Sequence, residues 1–141
     1  MCNVKEPANI QEIVGYKIVF KEGNKYLSPF AGKEIGIGKV YDMPFYNFED
    51  QTKYWFYVYD ELDNPNMIGK TTVFKSLEEA QIILKVLNKD ESNLQWKDCI
   101  IIKIKITGNI IKGTSARIVE GFNNYIVYAG EEVLEIEEIN N

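Results

Sequence analysis

The sequence predicts an α+β fold in which a mostly antiparallel sheet carries one main helix packed on one face. Apolar and polar residues alternate with the period of a strand near both ends of the chain, at 16–21 and 99–107. One stretch between them, 77–88, has the period of an amphipathic helix. Strands at both ends around a single helix are typical of α+β domains. The 141 residues are enough for one domain with a sizeable core, and we expect a single domain.

The first third of the chain predicts a hairpin. Residues 1–12 show no clear period, which leaves a short helix or a loose N-terminal arm as the expectation. From 16 to 21 the apolar Tyr16, Ile18 and Phe20 occupy alternate positions, as in a half-buried strand. Residues 22–25 form a tight-turn pattern, so 26–27 should return as the hairpin partner. Glycines between 32 and 38 then interrupt regular structure.

The predicted helix follows a short strand at 71–74. Ser76 and Glu79 form a capping box that starts the helix. One face of the helix carries an apolar stripe of Leu77, Ala80, Ile83, Leu84 and Leu87. We expect this stripe to rest on the apolar face of strand 99–107, which consists of Ile100, Ile102, Ile104 and Ile106.

The C-terminal part predicts a meander. Residues 108–109 should turn the chain, and 110–111 should begin its return. Further strands are expected at 116–120, 125–129 and 133–139, with turns between them.

The residue types present disfavour catalysis. The chain contains no histidine, the most common general base and zinc ligand. Its two cysteines are too few for a cysteine-only zinc site. Gly69-Lys70-Thr71 resembles the end of a phosphate-binding loop, but the first glycine of that motif is absent, and the acidic residues at 60–63 lack calcium-loop spacing. We therefore expect no enzyme, no catalytic residue, no metal and no cofactor.

Charge and composition indicate the cellular compartment and the class of partner. A net charge of −5 disfavours direct binding to nucleic acid. No stretch approaches the ~20 apolar residues of a membrane span, and the first residues have no secretory pattern. We expect a protein of a bacterial host cytosol with reduced cysteines and no membrane association. Arg117 is the only arginine beside 15 lysines, a bias typical of an AT-rich genome.

An aromatic cluster between 41 and 59 suggests a ligand-binding face. In the predicted strand 54–59, one set of alternate residues can fill the core, which leaves Trp55, Tyr57 and Tyr59 on the opposite face. Such rings stack on nucleobases or anchor protein interfaces. The cations that could join them are Lys103, Lys105 and Arg117.

Two simpler explanations compete with this ligand-binding face. The glycine-rich segment could cover the rings and turn them into a second small core. Lys103 and Lys105 could simply face Glu135 and Glu137 across neighbouring strands, since alternating charge is ordinary on solvent-facing strands.

Four segments resemble small uncharacterised proteins from phages and Gram-positive bacteria. The similarity spans 15–139 and lies in Gly15-Tyr16-Lys17, Gly38-Lys39-Val40-Tyr41, the stretch 73–80 and the stretch 102–106. Some of those proteins are distantly similar to the ADP-ribosyltransferase fold, whose chemistry needs an arginine or histidine on the first strand and a late glutamate. Tyr16 and Lys17 stand near the first position, and no glutamate takes the second role. The resemblance implies a phage-borne accessory protein without transferase activity.

Three functions follow as expectations. The first is a phage or mobile-element protein that counters host defence by binding, either sequestering a nucleotide-derived signal or occluding a host protein. The second is an assembly protein that forms homo-oligomers through the aromatic face. The third is a weak enzyme acting on ADP-ribose-like substrates.

Overall fold

The structure, a computed structural model, describes residues 2–7, 10–28, 34–43, 69–89, 99–115 and 125–139. These ranges contain ten strands, one α-helix and one 3-10 turn. The strands are β1 (Cys2–Pro7), β2 (Glu12–Glu22), β3 (Lys25–Leu27), β4 (Glu34–Ile35), β5 (Gly38–Lys39), β6 (Thr71–Phe74), β7 (Cys99–Thr107), β8 (Ile111–Ser115), β9 (Ile126–Gly130) and β10 (Glu132–Glu138). The helix is α1 (Leu77–Lys89), and the 3-10 turn is Val40–Asp42.

The strands form one antiparallel sheet in the order β1-β8-β9-β6-β2-β7-β10-β5, with β3 and β4 attached beside β2. Every strand pair in the described ranges is antiparallel. The predicted sheet-dominated α+β fold with a single helix is therefore confirmed for these residues. None of them forms a helix with both the length and the apolar character that crossing a bilayer requires.

The N-terminal half of the sheet agrees closely with the sequence pattern. β2 and β3 form the predicted hairpin, with Phe20 opposite Leu27, and its turn uses Gly23 at a φ of 61°, where glycine is favoured. Residues 2–7, which have no period in the sequence, pair with β8 as an edge strand. Local pattern does not encode this pairing, because it depends on a partner more than 100 residues away.

The C-terminal half is one long bent hairpin, and the predicted meander is wrong there. β7 pairs with β10, and β8 pairs with β9. β8 therefore extends β7 in the same direction instead of folding back on it, and β9 and β10 together form the opposite arm of the hairpin. Gly108 and Asn109 have φ values of 86° and 41°, so they bend the strand without reversing it. Glu131 marks the same bend on the other arm, where its N–H donates to the Thr107 carbonyl at 2.9 Å. The strand predicted at 116–120 lies outside the described residues.

Each face of the sheet carries its own hydrophobic core. The helix-side core joins Ala80, Ile83 and Leu84 of α1 to residues such as Phe20 and Ile101. The inner core lies on the other face and contains Val19, Val73, Ile102, Ile104, Ile106, Tyr128 and Val133. Each fully buried aliphatic side chain stabilises the fold by about 1.5–3 kcal/mol.

The expectation that the isoleucine face of β7 is the floor for the helix is wrong. The residues of α1 share a core with Cys99 and Ile101, whereas Ile102, Ile104 and Ile106 belong to the inner core. The alternation along β7 was predicted correctly, but the side on which the helix lies was not. Only the first part of the opposite face is apolar, because lysines follow at 103 and 105.

The start of α1 uses the predicted serine cap. The Ser76 hydroxyl accepts the N–H of Glu79 at 3.3 Å, which satisfies one of the free amides of the first turn. One carboxylate oxygen of Glu79, Oε2, is buried without a hydrogen-bond partner among the described residues, so this oxygen does not supply the reciprocal bond of the capping box.

Gly15 allows β6 to approach β2 very closely. A Cβ at Gly15 would lie 2.3 Å from Cγ2 of Val73 and 2.9 Å from the Phe74 carbonyl oxygen. Beside this crossing, the buried Lys17 side chain donates from Nζ to the Thr72 carbonyl at 3.0 Å. β6 also pairs with β9, so the crossing joins the β8–β9 part of the sheet to β2 around the inner core.

Candidate functional site

Two of the six predicted ligand-binding residues lie on β7 and face away from the inner core. Lys103 stands in register with Tyr16 of β2 and Glu137 of β10, and Lys105 with Val14 and Glu135. The two lysines therefore share one face, as the sequence predicted. Their cross-strand neighbours are the glutamates named in the simpler explanation.

Lys105 already has carboxylate partners. Its Nζ lies 3.5 Å from Glu135 Oε2 and 4.0 Å from Glu12 Oε1. The lysine side chain is 28% exposed, so neighbouring side chains cover most of it. A cation between two carboxylates has less positive potential to offer a phosphate than an isolated cation.

The other four predicted site residues, Trp55, Tyr57, Tyr59 and Arg117, lie outside the described residues. Their joining with Lys103 and Lys105 into a ligand-binding face therefore stays a prediction. Of the two motifs rejected from the sequence, the phosphate-binding loop at 69–71 lies within the described residues and the calcium loop at 60–63 does not. Thr71 begins strand β6, whereas a phosphate-binding loop is followed by a helix, and the acidic residues at 60–63 are outside the described ranges.

An open cleft of about 510 Å³ lies beside the β2–β3 turn. Its wall comes from the β2–β3 turn and from residues 34–43, the segment that contains β4, β5 and the 3-10 turn. The lining includes the apolar Ile35, Ile37 and Met43 and the charged Lys39 and Asp42. The cleft thus combines apolar and charged side chains within one short segment.

Segment 34–43 also carries the two most exposed large apolar side chains of the described residues. Ile37 is 66% exposed and Tyr41 is 75% exposed, whereas the others in this class reach only 38–40%. Gly36 and Gly38 flank Ile37, and Gly38, with a φ of +125°, is the first residue of β5. Tyr41 lies next to Gly69, where an added Cβ would be 3.5 Å from its Cδ2. We call residues 34–43 the 34–43 surface.

The charges at this surface balance. Lys25 and Glu34 are 3.7 Å apart at Nζ and Oε1, and Lys39 and Asp42 are exposed. Equal numbers of cations and carboxylates give no net attraction for an anionic ligand. The surface instead offers apolar side chains surrounded by charged ones, an arrangement common at protein contacts.

Lys21, Tyr26 and Glu138 form a hydrogen-bonded cluster of titratable groups. Lys21 Nζ donates to Glu138 at 2.9 Å, and the Tyr26 hydroxyl donates to the same carboxylate oxygen at 2.8 Å. The hydrogen bond to Glu138 raises the pKa of Lys21 and of Tyr26, and the bonds from Lys21 and then Tyr26 lower the pKa of Glu138.

These shifts favour a structural role for the cluster. The raised pKa values of Lys21 and Tyr26 and the lowered pKa of Glu138 all have the hydrogen bonds among these three side chains as their first cause. The cluster ties the β2–β3 hairpin to the end of β10. In the described ranges, no group of three or more cysteine, aspartate or glutamate residues is arranged to hold a metal ion.

Comparison with protein-family models, curated proteins and solved structures finds no match for this chain.

The sequence pattern does not identify Ile37 as a surface residue, because its flanking glycines have the composition of turn residues. A large apolar residue between two glycines belongs to no strand or helix that could bury it, and this was the signal for exposure. Tyr41 was counted in the aromatic cluster, but its position in a 3-10 turn could not be inferred from a pattern of three residues.

Proposed function

We propose that this protein is a non-catalytic binding protein that occludes a partner protein through the 34–43 surface. The resemblance to phage and Gram-positive proteins suggests a host protein as the partner and interference with host defence as the outcome. Of the two binding modes expected from the sequence, the described residues favour a protein partner over a nucleotide-derived signal.

The exposure of Ile37 and Tyr41 is the observation that carries this proposal. Leaving a large apolar side chain in water forgoes about 1.5–3 kcal/mol of burial energy. Two such side chains on one short segment beside an open cleft therefore suggest a surface that is covered when a partner binds. Tyrosine is enriched among the residues that dominate binding energy at protein interfaces.

The electrostatics support a protein partner rather than a phosphate-bearing ligand. Phosphate recognition usually relies on arginine forks, clustered cations or helix N-termini. On the described surface Lys105 lies between two carboxylates, and the cations at the cleft are matched by Glu34 and Asp42. Neither place has an excess of positive charge.

The test compares capture of a bacterial partner by the wild-type protein and by Ile37→Asp and Tyr41→Asp variants. Both side chains are exposed, so the substitutions should leave the melting temperature nearly unchanged. The matched control is Ile82→Asp on α1, where the side chain is 38% exposed. We expect each surface variant to weaken binding about 30-fold, the effect of losing a dominant interface residue, and the control to bind normally.

The rival functions give different results in the same preparations. A rise in melting temperature with a nucleotide, lost in Trp55→Ala, would favour sequestration of a nucleotide-derived signal. A stable oligomer in light scattering that Ile37→Asp leaves intact would favour the assembly function. Unchanged partner binding by both surface variants would exclude the 34–43 surface as the contact.

A further inference from the structure

The 34–43 surface carries a projecting ring beside an open cleft. The Tyr41 side chain is 75% exposed and lies outside the lining of the cleft, which includes Ile35, Ile37 and Met43. The cleft volume of about 510 Å³ is that of a small-molecule pocket and leaves room for one aromatic ring. One surface therefore holds both a ring that is left in water and a cleft that can cover such a ring from another copy.

The charges of this surface are balanced, and two of them have no ion pair within the described part of the chain. Lys39 and Asp42 are exposed, and neither forms an ion pair with the other or with another described residue. Lys25 and Glu34 neutralise each other at 3.7 Å. The whole chain carries a net charge of −5, so two copies repel each other in general. The neutral 34–43 surface is a place where they can approach without that repulsion.

A two-fold axis can bring the complementary parts of two copies together. In a two-fold contact, when residue i of one copy meets residue j of the other, j of the first also meets i of the second. Lys39 opposite the second copy's Asp42 therefore also places Asp42 opposite the second copy's Lys39. The same axis can place each Tyr41 ring at the other copy's cleft. Opposite charges together with a ring and a cleft make this surface complementary to itself.

We propose that a second copy of this chain covers the 34–43 surface in a two-fold dimer when no other partner is bound. Tyr41 enters the opposite cleft, and two ion pairs between Lys39 and Asp42 flank the contact. The dimer does not depend on the host-protein contact proposed above. Its consequence does rest on that proposed function: a partner that uses the same surface can bind only the monomer, so dimerisation limits the amount of binding-competent protein.

Sedimentation velocity of the full chain over a concentration series measures the dimer. Because segment 34–43 is shorter than the about 20–30 residues that each side of a standard interface uses, we expect a dissociation constant on the order of 100 µM. The average mass should rise toward that of two chains between roughly 1 µM and 1 mM protein. Ile37→Asp should weaken dimerisation at least about 100-fold, because the substitution enters the contact twice. Ile82→Asp on α1 should dimerise like the wild type.

Charge reversal tests the two-fold register. Lys39→Glu or Asp42→Lys alone sets like charges against each other in both halves of the contact and should weaken dimerisation at least about tenfold. An equimolar mixture of the two variants again sets opposite charges against each other, so a mixed dimer should form about as tightly as the wild-type dimer. Lys85→Glu on α1 is the matched control, since Lys85 is exposed and its reversal changes the net charge equally.

Three results would overturn the inference. The first is a protein that keeps the mass of one chain up to about 1 mM, about tenfold above the expected dissociation constant. The second is a dimer that Ile37→Asp leaves intact, because the contact would then lie on another surface. The third is a mixture of Lys39→Glu and Asp42→Lys that dimerises no better than either variant alone.

Partner capture separates the dimer from the proposed host-protein contact. Capture is measured at about 1 µM protein, where a dimer of this strength is dissociated. A wild-type protein that stays monomeric at all concentrations but loses capture in Tyr41→Asp would exclude the dimer and support the host-protein contact. A dimer that Ile37→Asp breaks, with capture unchanged by that substitution, would support the dimer and exclude the host-protein contact.

Discussion

Replacing Gly15 by alanine tests how β6 crosses β2. The new Cβ would stand 2.3 Å from Val73 Cγ2, 2.6 Å from Val73 Cβ and 2.9 Å from the Phe74 carbonyl oxygen. All three separations are shorter than carbon contacts allow, and one of them involves backbone. A side-chain rotation therefore cannot relieve the overlap, and β6 itself must move.

The expected cost follows from this geometry. Overpacking a core by a methyl group costs typically about 1–3 kcal/mol, and a clash with backbone belongs at the upper end of that range. Displacing β6 also strains the hydrogen bond from Lys17 to the Thr72 carbonyl. We expect the free energy of unfolding to fall by about 3 kcal/mol, which corresponds to a drop in melting temperature of roughly 10 °C for a domain of this size.

Urea denaturation followed by circular dichroism measures this change, with Gly36→Ala as the matched control. No atom lies within 4 Å of a Cβ at Gly36, so that variant should stay within about 1 kcal/mol of wild type. Val73→Gly removes two of the three overlaps, so its combination with Gly15→Ala should be less destabilising than the sum of the single changes. A Gly15→Ala protein as stable as wild type would refute the described crossing.

Two further predictions concern the ends of secondary-structure elements. Glu138 has a lowered pKa in the folded protein because of the hydrogen bonds from Lys21 and Tyr26, so its contribution to the free energy of unfolding is present above the ordinary carboxyl range and is lost as pH falls. In urea titrations at several pH values, Glu138→Gln should therefore reduce the loss of stability at acid pH. An unchanged dependence of stability on pH would contradict the cluster. Ser76→Ala removes the cap of α1 and should lower the free energy of unfolding by about 1 kcal/mol in the same assay, whereas no loss would show that the cap is not formed in solution.

The elements that local pattern predicted well are those in which burial follows a simple period. β2, β6, β7 and α1 all lie where alternation or a helical stripe placed them. The short strands β4 and β5 have two residues each, and no period can be read from two residues. They exist because β3 and β10 offer partners for them.

The errors in the predicted fold have a common physical cause. Gly108-Asn109 has the composition of a reversing turn, but here it bends a strand whose partner on the other arm bends at Glu131. In the same way, strand alternation separates the two faces of β7 without indicating which face the helix covers. Both outcomes depend on long-range contacts, which a single sequence does not display.

The candidate site also has one part that a repeating sequence pattern predicts and one part that it does not. The register that places Lys105 beside Glu135 followed from simple charge alternation. The 34–43 surface did not, because its exposure arises from two glycines and a 3-10 turn rather than from a repeating pattern.

Hydrogen exchange of the protein alone and in complex with its captured partner shows whether the 34–43 surface is the contact. We expect backbone amides within 34–43 to exchange more slowly in the complex, while those of the exposed face of α1 keep their rates. Unchanged exchange throughout 34–43, together with protection at another surface, would contradict it.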